Sequence, residues 1–249
     1  MLKSIAIAFQ TYSHIPVPSF QWDDRSRRYA LCFFPLVGAV TGGAEYLWFY
    51  LAALLDAPVL IGTAVATAIP FLITGGIHMD GFCDTVDALS SHQSMEKKLE
   101  ILKDPHAGAF AIIFASLYIL LYFAGWSAVA DYNTLTTVCI GFVLSRALSG
   151  LAAFTFKGAR KEGMLKSLAD ATSKKTTVIA MSVYIIICTS ALIAINPKQG
   201  ISVIAVNAAV FLYYRIKSYR EFGGITGDLA GWFLQLSELA TILCAGLFG

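Results

Sequence analysis

The sequence has little charge: 14% of its 249 residues are Asp, Glu, Lys or Arg, against about 25% in soluble domains. Hydrophobic residues make up 57%, and the mean hydropathy is +0.68. So apolar a chain cannot cover a water-exposed surface with polar groups, which disfavours both intrinsic disorder and an ordinary soluble enzyme. Because the apolar residues are spread along the whole length, we expect one membrane-embedded domain over 1–249.

Cysteine pairs, repeats and a strong charge bias are also missing. None of the five cysteines stands in a CxxC pair, which argues against a disulfide framework or a zinc site. The formal net charge of +2 is too small to indicate a nucleic-acid partner. No internal repeat or low-complexity tract is present.

Seven apolar segments are each long enough to span a membrane, which takes about 20 residues. Six or eight spans stay open, since the first or the last segment can also be re-entrant. Residues 1–12 predict an apolar helix at the membrane surface. The fold class we expect is an all-α, polytopic membrane helical bundle. Its predicted spans are 30–55, 58–76, 108–130, 134–156, 176–195, 200–218 and 228–248.

Lys and Arg concentrate on one side of this arrangement. Sixteen of the 18 lie in the N-terminal stretch and in the segments 77–107, 157–175 and 215–227. By the positive-inside rule these parts are cytoplasmic. We therefore expect a multi-pass protein of the cytoplasmic membrane with a cytoplasmic N-terminus.

The segment TGGIHMDGFCDTVDAL at 74–89 carries the most informative chemistry. Asp80, Asp84 and Asp87 are spaced so that a helix places their carboxylates on one face, about 5–6 Å apart. Like charges this close repel near a membrane, and a divalent cation held by hard oxygen ligands removes the repulsion. We expect Mg²⁺, Mn²⁺ or Ca²⁺ there. The alternative is a solvated acidic helix start.

The same segment holds glycines and a histidine. Gly75, Gly76 and Gly81 allow a tight turn and close approach of a phosphate to the backbone. His78 is expected to form a hydrogen bond or transfer a proton, the alternatives being a direct metal ligand or a plain interfacial histidine.

A second candidate element is LKDPHAGAF at 102–110, just before the third predicted span. Asp104 offers another carboxylate and Lys103 a cation for a phosphate, while Gly108 opens the span. The alternative for Asp104 is an ordinary helix N-cap.

A third element is FGGITGDLAGW at 222–232, which opens the last span. Its backbone N–H groups stand beside a helix N-terminus and favour an anion. The alternative is a glycine-rich loop before a capped helix. The residues concerned are Gly223, Gly224, Thr226, Gly227 and Asp228.

Three ionisable residues lie within predicted spans: Glu45, Arg146 and Glu238. Such residues usually face the bundle interior and mark a function or a pair. Arg146 either holds a diphosphate bidentately or pairs with Glu238 or Glu45.

All three loop elements fall on one predicted side of the membrane, which favours one composite site. The chemistry that fits is transfer of a phosphorus-linked group. A metal neutralises a diphosphate, basic groups hold it, and a carboxylate or His takes a proton from an attacking hydroxyl.

The sequence resembles the cobalamin synthase family, also called adenosylcobinamide-GDP ribazoletransferases. TGGIHMDGFCDTVDAL is close to the family pattern TGG-x-H-x-DG-x-x-D-x-x-DG. The resemblance continues in SHIPVP at 13–18, FFPLVGAVTG at 33–42, ILKDPHAGAF at 101–110, SRA at 145–147 and GGITGDLAGW at 223–232 with Glu238.

The resemblance implies a Mg²⁺-dependent inner-membrane enzyme that joins adenosylcobinamide-GDP to α-ribazole or its 5′-phosphate and releases GMP. Asp80, Asp84 and Asp87 fall on the family's Asp motif and would bind Mg²⁺. We expect Asp104 and Asp228 to complete the metal shell, with His78 or an unligated Asp as base. The substrate-facing set is then Gly75, Gly76, Gly81, Lys103, Gly108, Arg146, Gly223, Gly224, Thr226, Gly227, Asp228 and Glu238.

Three positions depart from the family's pattern. His14 and His106 stand where Arg is expected, and Ala88 replaces a Gly. The segment 157–175 is hard to align and receives no catalytic role, while its cations are expected to bind anionic lipid. A homo-oligomer is left open.

Two other functions compete with this interpretation. Prenyl or alcohol transferases of membranes carry a second Asp-rich motif or a DG-x-x-AR element, whereas DG at 80–81 is followed here by FCDTVD, with no AR. A cation transporter would place ionisable residues through the bilayer depth and on both faces, and here almost all lie on one face.

Overall fold

The computed structural model describes residues 1–18, 23–160 and 172–248, which are almost entirely helical. A single isolated bridge, between Gly158 and Ile225, is the extended pairing within the described part of the chain. The helices are α1 (Leu2–Tyr12), α2 (Asp24–Ala30), α3 (Phe34–Leu54), α4 (Val59–Thr74), α5 (Ile77–Ser90), α6 (Met95–Ile101), α7 (Ala109–Ser127), α8 (Tyr132–Thr155), α9 (Lys174–Ile195), α10 (Pro197–Phe222) and α11 (Gly227–Phe248).

The all-helical membrane bundle predicted from hydropathy is confirmed. Six stretches in the described residues are long and apolar enough to cross a membrane, the first running from Ser26 to Leu54 through α2, a short 3-10 turn and α3. Up to seven are reached by adding α4 with α5. The first and last predicted spans are long helices, so the break falls in the second span instead.

That break is a bend of 92° between α4 and α5. Gly75 and Gly76 adopt φ values of 64° and 76°, in the left-handed region that glycine enters without steric cost. A Cβ added at Gly75 would lie 2.3 Å from the His14 ring, and the His14 N–H donates to the Ile73 carbonyl at 2.8 Å. The tight turn predicted at these glycines is therefore confirmed, and the loop after α1 rests on it.

Contacts at both ends of α4 show that it crosses the bundle. At one end it holds the loop after α1, as just described. At the other, the Trp48 indole N–H donates to the Gly62 carbonyl at 2.8 Å, which joins the late part of α3 to the early part of α4. The two helices form an antiparallel hairpin, and α5 follows α4 after the 92° bend.

Small residues bring the central helices close together. A Cβ added at Gly38 of α3 would lie 2.3 Å from the Phe142 carbonyl oxygen of α8, and one at Gly42 would lie 2.9 Å from Cys139 Cβ. Such positions allow close backbone approach where apolar lipid supplies no driving force between helices. The last helix, α11, contacts α5, α7, α8 and α10 and forms the centre of the bundle.

Candidate active site

The structure gathers the three loop elements at one end of the bundle. A Cβ added at Gly81 of α5 would lie 2.7 Å from the Asp228 carbonyl oxygen at the start of α11. One added at Gly108, before α7, would lie 2.7 Å from Asp87 Oδ1. The absence of side chains at these two glycines lets α5 lie directly against the first turns of both spans.

Asp80, Asp84 and Asp87 all lie on α5, so the predicted single helix does carry them. We call these three residues the acidic face. Asp80 is exposed and Asp84 half-buried, and neither makes a hydrogen bond or an ion pair with any described residue.

The Asp84 carboxyl is half-buried and lies among other carboxylates. Its pKa rises from an ordinary 3.8 to about 7, mainly because burial disfavours the charged form. The carboxylates of Asp80, Asp228, Asp87 and Asp104, in decreasing order, raise the pKa further. The three loop elements therefore bring four other carboxyl groups within electrostatic reach of Asp84, a charge arrangement that a bound cation would relieve.

Asp87 forms hydrogen bonds to the start of α7 in addition to contributing charge to the acidic face. One carboxylate oxygen accepts the Gly108 N–H at 2.6 Å and the other accepts the Ala111 N–H at 2.9 Å. Both donors belong to the start of α7, whose N-cap residue Gly108 has no side chain to offer. Asp87 therefore caps α7 from α5 and satisfies N–H groups that a helix start leaves without partners.

This finding corrects the alternative reading of Asp104 as the cap of α7. Asp104 instead accepts the His106 N–H at 3.0 Å and contacts His106 Nδ1 at 2.8 Å. These hydrogen bonds lower the pKa of the exposed Asp104 carboxyl. His106, which departs from the family pattern, is thus the partner of Asp104, with exposed Lys103 directly before the pair.

The N–H groups of the glycine-rich loop at 223–225 form hydrogen bonds within the protein. The N–H groups of Gly223, Gly224 and Ile225 donate to the carbonyls of Tyr219, Ser218 and Lys157. The N–H groups of Gly223 and Gly224 are therefore not available to a phosphate in this arrangement, contrary to the expectation from the sequence.

The start of α11 keeps open N–H groups. The Thr226 hydroxyl accepts the Leu229 N–H at 3.2 Å, so Thr226 acts as a capping residue. Gly227 and Asp228 begin the helix, where N–H groups have no acceptor within the helix itself. A Cβ added at Gly227 would meet no atom within 4 Å, so this part of the predicted anion site faces open space.

Arg160 is the basic residue that the sequence did not single out. Its Nη1 lies 3.8 Å from Asp228 Oδ2, and its Nη2 donates to the Leu99 carbonyl at 3.0 Å. Its Nε is buried without a partner. The only sequence signal was its place in the basic segment 157–175, most of which lies outside the described residues.

His78 lies on the opposite side of α5 from the acidic face. It is 5% exposed, and its ring meets that of Phe34 edge-on at a centroid distance of 6.1 Å. A Cβ at Gly231 of α11 would approach the His78 carbonyl oxygen to 3.0 Å. This residue is therefore packed between helices, and its Nε2 has no hydrogen-bond partner.

Arg146 and Glu238 form a buried ion pair, Nη1 to Oε1 at 2.7 Å, with both side chains almost fully enclosed. We call them the core pair. The Arg146 Nη1 also donates to the Phe142 carbonyl at 3.0 Å. The structure thus favours the paired interpretation of Arg146 over a phosphate ligand, and it moves Glu238 from the substrate-facing set into the bundle interior. Glu45 is buried in α3 with both carboxyl oxygens unpartnered.

The carboxyl groups suit an open magnesium site, in which water and substrate phosphates supply most of the ligands. No three His, Cys, Asp or Glu side chains of the described residues form a ready-made metal cage. Mg²⁺ usually keeps several waters and takes one or two carboxylates plus substrate phosphates. Asp80 and Asp84, which have no partner among the described residues, are such a donor set.

The fold and site define a class: a multi-pass helical membrane protein with a carboxylate-rich site where three loop elements meet at one end of the bundle. The chain belongs to the cobalamin-5-phosphate synthase family, whose sequence profile matches residues 4–246. The family resemblance drawn from the motifs is thereby confirmed.

Curated relatives cover nearly the whole chain. An adenosylcobinamide-GDP ribazoletransferase of Lachnoclostridium phytofermentans is 47% identical over 96% of this chain and 91% of its own length. Proteins of the same name are 31% identical in Clostridium perfringens strain 13, over 98% of both chains, and 30% identical in Pseudomonas fluorescens, over 97% of this chain and 98% of the relative. No solved structure matches this chain.

Proposed function

We propose that this chain is an adenosylcobinamide-GDP ribazoletransferase that depends on Mg²⁺ and works at the cytoplasmic face of the inner membrane. It joins adenosylcobinamide-GDP to α-ribazole or its 5′-phosphate and releases GMP. The observation that carries the proposal is the acidic face beside the open start of α11, in a chain 47% identical to a relative of that name. The concentration of Lys and Arg at the same end supports the cytoplasmic orientation.

In this proposal Asp80 and Asp84 hold the metal, because no described residue bonds to their oxygens, while those of Asp87 cap α7. When bound, Mg²⁺ neutralises diphosphate charge and makes phosphorus more open to attack. Asp87 keeps the start of α7, and with it the 102–108 loop, against the acidic face.

The diphosphate is bound by positive groups on two sides of the acidic face. The N–H groups of Gly227 and Asp228 point out of the α11 N-terminus, where the helix dipole favours an anion. Arg160 stands beside Asp228, and a guanidinium binds phosphate oxygens through paired N–H groups. Lys103 supplies a further cation from the loop before α7.

The reaction needs a base for the hydroxyl of the ribazole. The hydroxyl oxygen bonds to the phosphorus attached to the cobinamide, the bond from that phosphorus to the GMP oxygen breaks, and the proton goes to the base. His78 is buried between α5 and α11, so an Asp of the site that does not ligate the metal is the better candidate.

The test is GMP and cobalamin formation by purified protein given adenosylcobinamide-GDP and α-ribazole, with Mg²⁺ or with EDTA. We expect equal amounts of both products with Mg²⁺, and neither with EDTA. Asp84→Asn should lose at least about 100-fold in rate, since it removes charge from the metal site. Asp56→Asn, at the far end of the bundle between α3 and α4, is the matched control and should keep full activity.

A folded wild-type protein that forms no cobalamin would contradict the proposal. The same acidic face would then belong to another transferase of diphosphate substrates, or to cation transport. Product formation in EDTA would contradict the metal assignment alone.

A further inference from the structure

An apolar groove of about 290 Å³ runs between α8, α9 and α10, away from the acidic face. Its walls include Leu144 and Leu148 of α8, Ile185 of α9, and Ile204 and Phe211 of α10. Ala208 and Leu212 line it and are exposed, so the groove opens on the outer surface of the bundle, where membrane lipid lies.

The polar groups along the groove are already satisfied. The Thr189 hydroxyl donates to the Ile185 carbonyl at 2.8 Å. The Asn207 amide donates to the Val203 carbonyl and to Thr241 Oγ1, and its oxygen accepts the Ser237 hydroxyl. The groove therefore presents a surface that suits a hydrocarbon chain and offers nothing to a polar ligand.

One end of the groove carries an unpaired cation. Arg215 lines it, is exposed, and has no carboxylate partner among the described residues. Its guanidinium lies 5.5 Å from the ring centre of Phe156 and 5.7 Å from that of Tyr219. These contacts hold the head group towards the C-terminal end of α10, and exposed Lys157 follows Phe156 directly.

The dimensions match one leaflet of a bilayer. From Ile204 to Arg215 the helix rises about 17 Å, against about 15 Å for half of a hydrocarbon core about 30 Å thick. Arg215 is seven residues before the end of α10, where a long basic side chain reaches the headgroup region. The groove thus has an apolar wall about as long as one leaflet is thick, with a cation at one end.

We propose that this groove binds an anionic phospholipid, with an acyl chain between α8, α9 and α10 and its phosphate at Arg215. The argument is charge complementarity: the cytoplasmic leaflet carries anionic lipids, and an unpaired guanidinium at the mouth of an otherwise apolar groove selects them over zwitterionic ones. The site is separate from the acidic face and does not depend on the proposed reaction.

The test is native mass spectrometry of the detergent-purified full chain, titrated with phosphatidylglycerol or phosphatidylcholine of the same acyl chains. Wild type should retain phosphatidylglycerol more strongly. Arg215→Gln should lower that preference about fivefold, the effect of one cation at a headgroup, whereas Arg215→Lys should keep most of it. Arg220→Gln removes an exposed cation of the same helix, one that lies near Glu221, and should change little.

A second variant tests the groove itself. Ala208→Trp fills it and should lower retention of both lipids, while size-exclusion elution and the melting temperature show that the protein is folded. Excess inorganic phosphate should not displace the lipid, because a free anion lacks the acyl chain. The proposal is overturned if wild type shows no preference for phosphatidylglycerol or if Arg215→Gln keeps that preference. It is also overturned if Ala208→Trp leaves lipid retention unchanged. Loss of a dimer in that variant would then show that a second copy of the chain occupies the groove.

Discussion

Two regions of this apolar protein arrange their ionisable groups in opposite ways. In the bundle interior, the core pair joins opposite charges at 2.7 Å. At the end of the bundle, the acidic face holds like charges together, and Asp80 and Asp84 have no partner among the described residues. The contrast is between opposite charges that neutralise each other in the interior and like charges at the end of the bundle, where we propose that a cation binds.

The largest expected effect comes from breaking the core pair. Glu238→Gln leaves a buried guanidinium without its counter-charge, which should cost about 3–5 kcal/mol of stability. The melting temperature in detergent measures this, and the Mg²⁺ concentration for half-maximal activity should stay unchanged in whatever protein remains folded. The double variant Arg146→Met with Glu238→Leu should recover most of the stability, and a double variant as unstable as the single one would refute this account.

Neutralising a carboxylate of the acidic face should lower activity without lowering stability, the reverse of the effect expected at the core pair. Asp84→Asn should lower activity at least about 100-fold but leave the metal-free protein as stable as wild type or more so, because it removes a repelled carboxylate. Turnover and melting temperature measured on the same samples check both halves. A variant that loses stability and activity together would make Asp84 a structural residue.

Substitution of Asp87 should distinguish helix capping from metal binding. Asp87→Ala removes the acceptor for the Gly108 and Ala111 N–H groups, and loss of a helix cap costs about 1 kcal/mol. We expect a lower melting temperature and a small change in the Mg²⁺ requirement, whereas Asp80→Asn should do the opposite. Equal rises in the Mg²⁺ requirement would show that Asp87 is also a metal ligand.

The smallest effect is a pH dependence of the metal-free protein. In the unfolded chain the Asp84 carboxyl ionises near pH 4, and in the folded protein only near pH 7. Between these values the folded state holds the extra proton, so this group makes stability fall as the pH rises from about 4 to 7. The loss of melting temperature from pH 5 to pH 7 should be smaller in Asp84→Asn, and equal losses would contradict the raised pKa.

Much of the membrane fold was predictable because hydropathy and length act locally. Glu45 in the first predicted span did not prevent a helix there. The last predicted span, 228–248, matches α11 within one residue. The bend at Gly75 and Gly76 was also visible, since two adjacent glycines mark a turn that other residues resist. What hydropathy could not show is that α5 turns away by 92° and lies across the starts of α7 and α11.

The sequence predicted which residues lie at the site better than it predicted what each of them does. The spacing of Asp80, Asp84 and Asp87 identified the acidic face, because helix periodicity is a property of the sequence. That Asp87 caps α7, that Arg160 stands beside Asp228 and that His78 is buried depend on contacts between distant segments. No spacing in the chain encodes such contacts.

By itself, the sequence determined the apolar helices, the concentration of Lys and Arg in alternate connecting segments, and the carboxylates on one helix face, since each follows from residue type and local period. Only the tertiary structure decided which ionisable groups pair and which stay free. Arg146 and Glu238 neutralise each other because α8 and α11 pack side by side, whereas α5 holds Asp80 and Asp84 at the open end, where no described residue pairs with them. Pairing depends on distance between helices, and packing sets that distance.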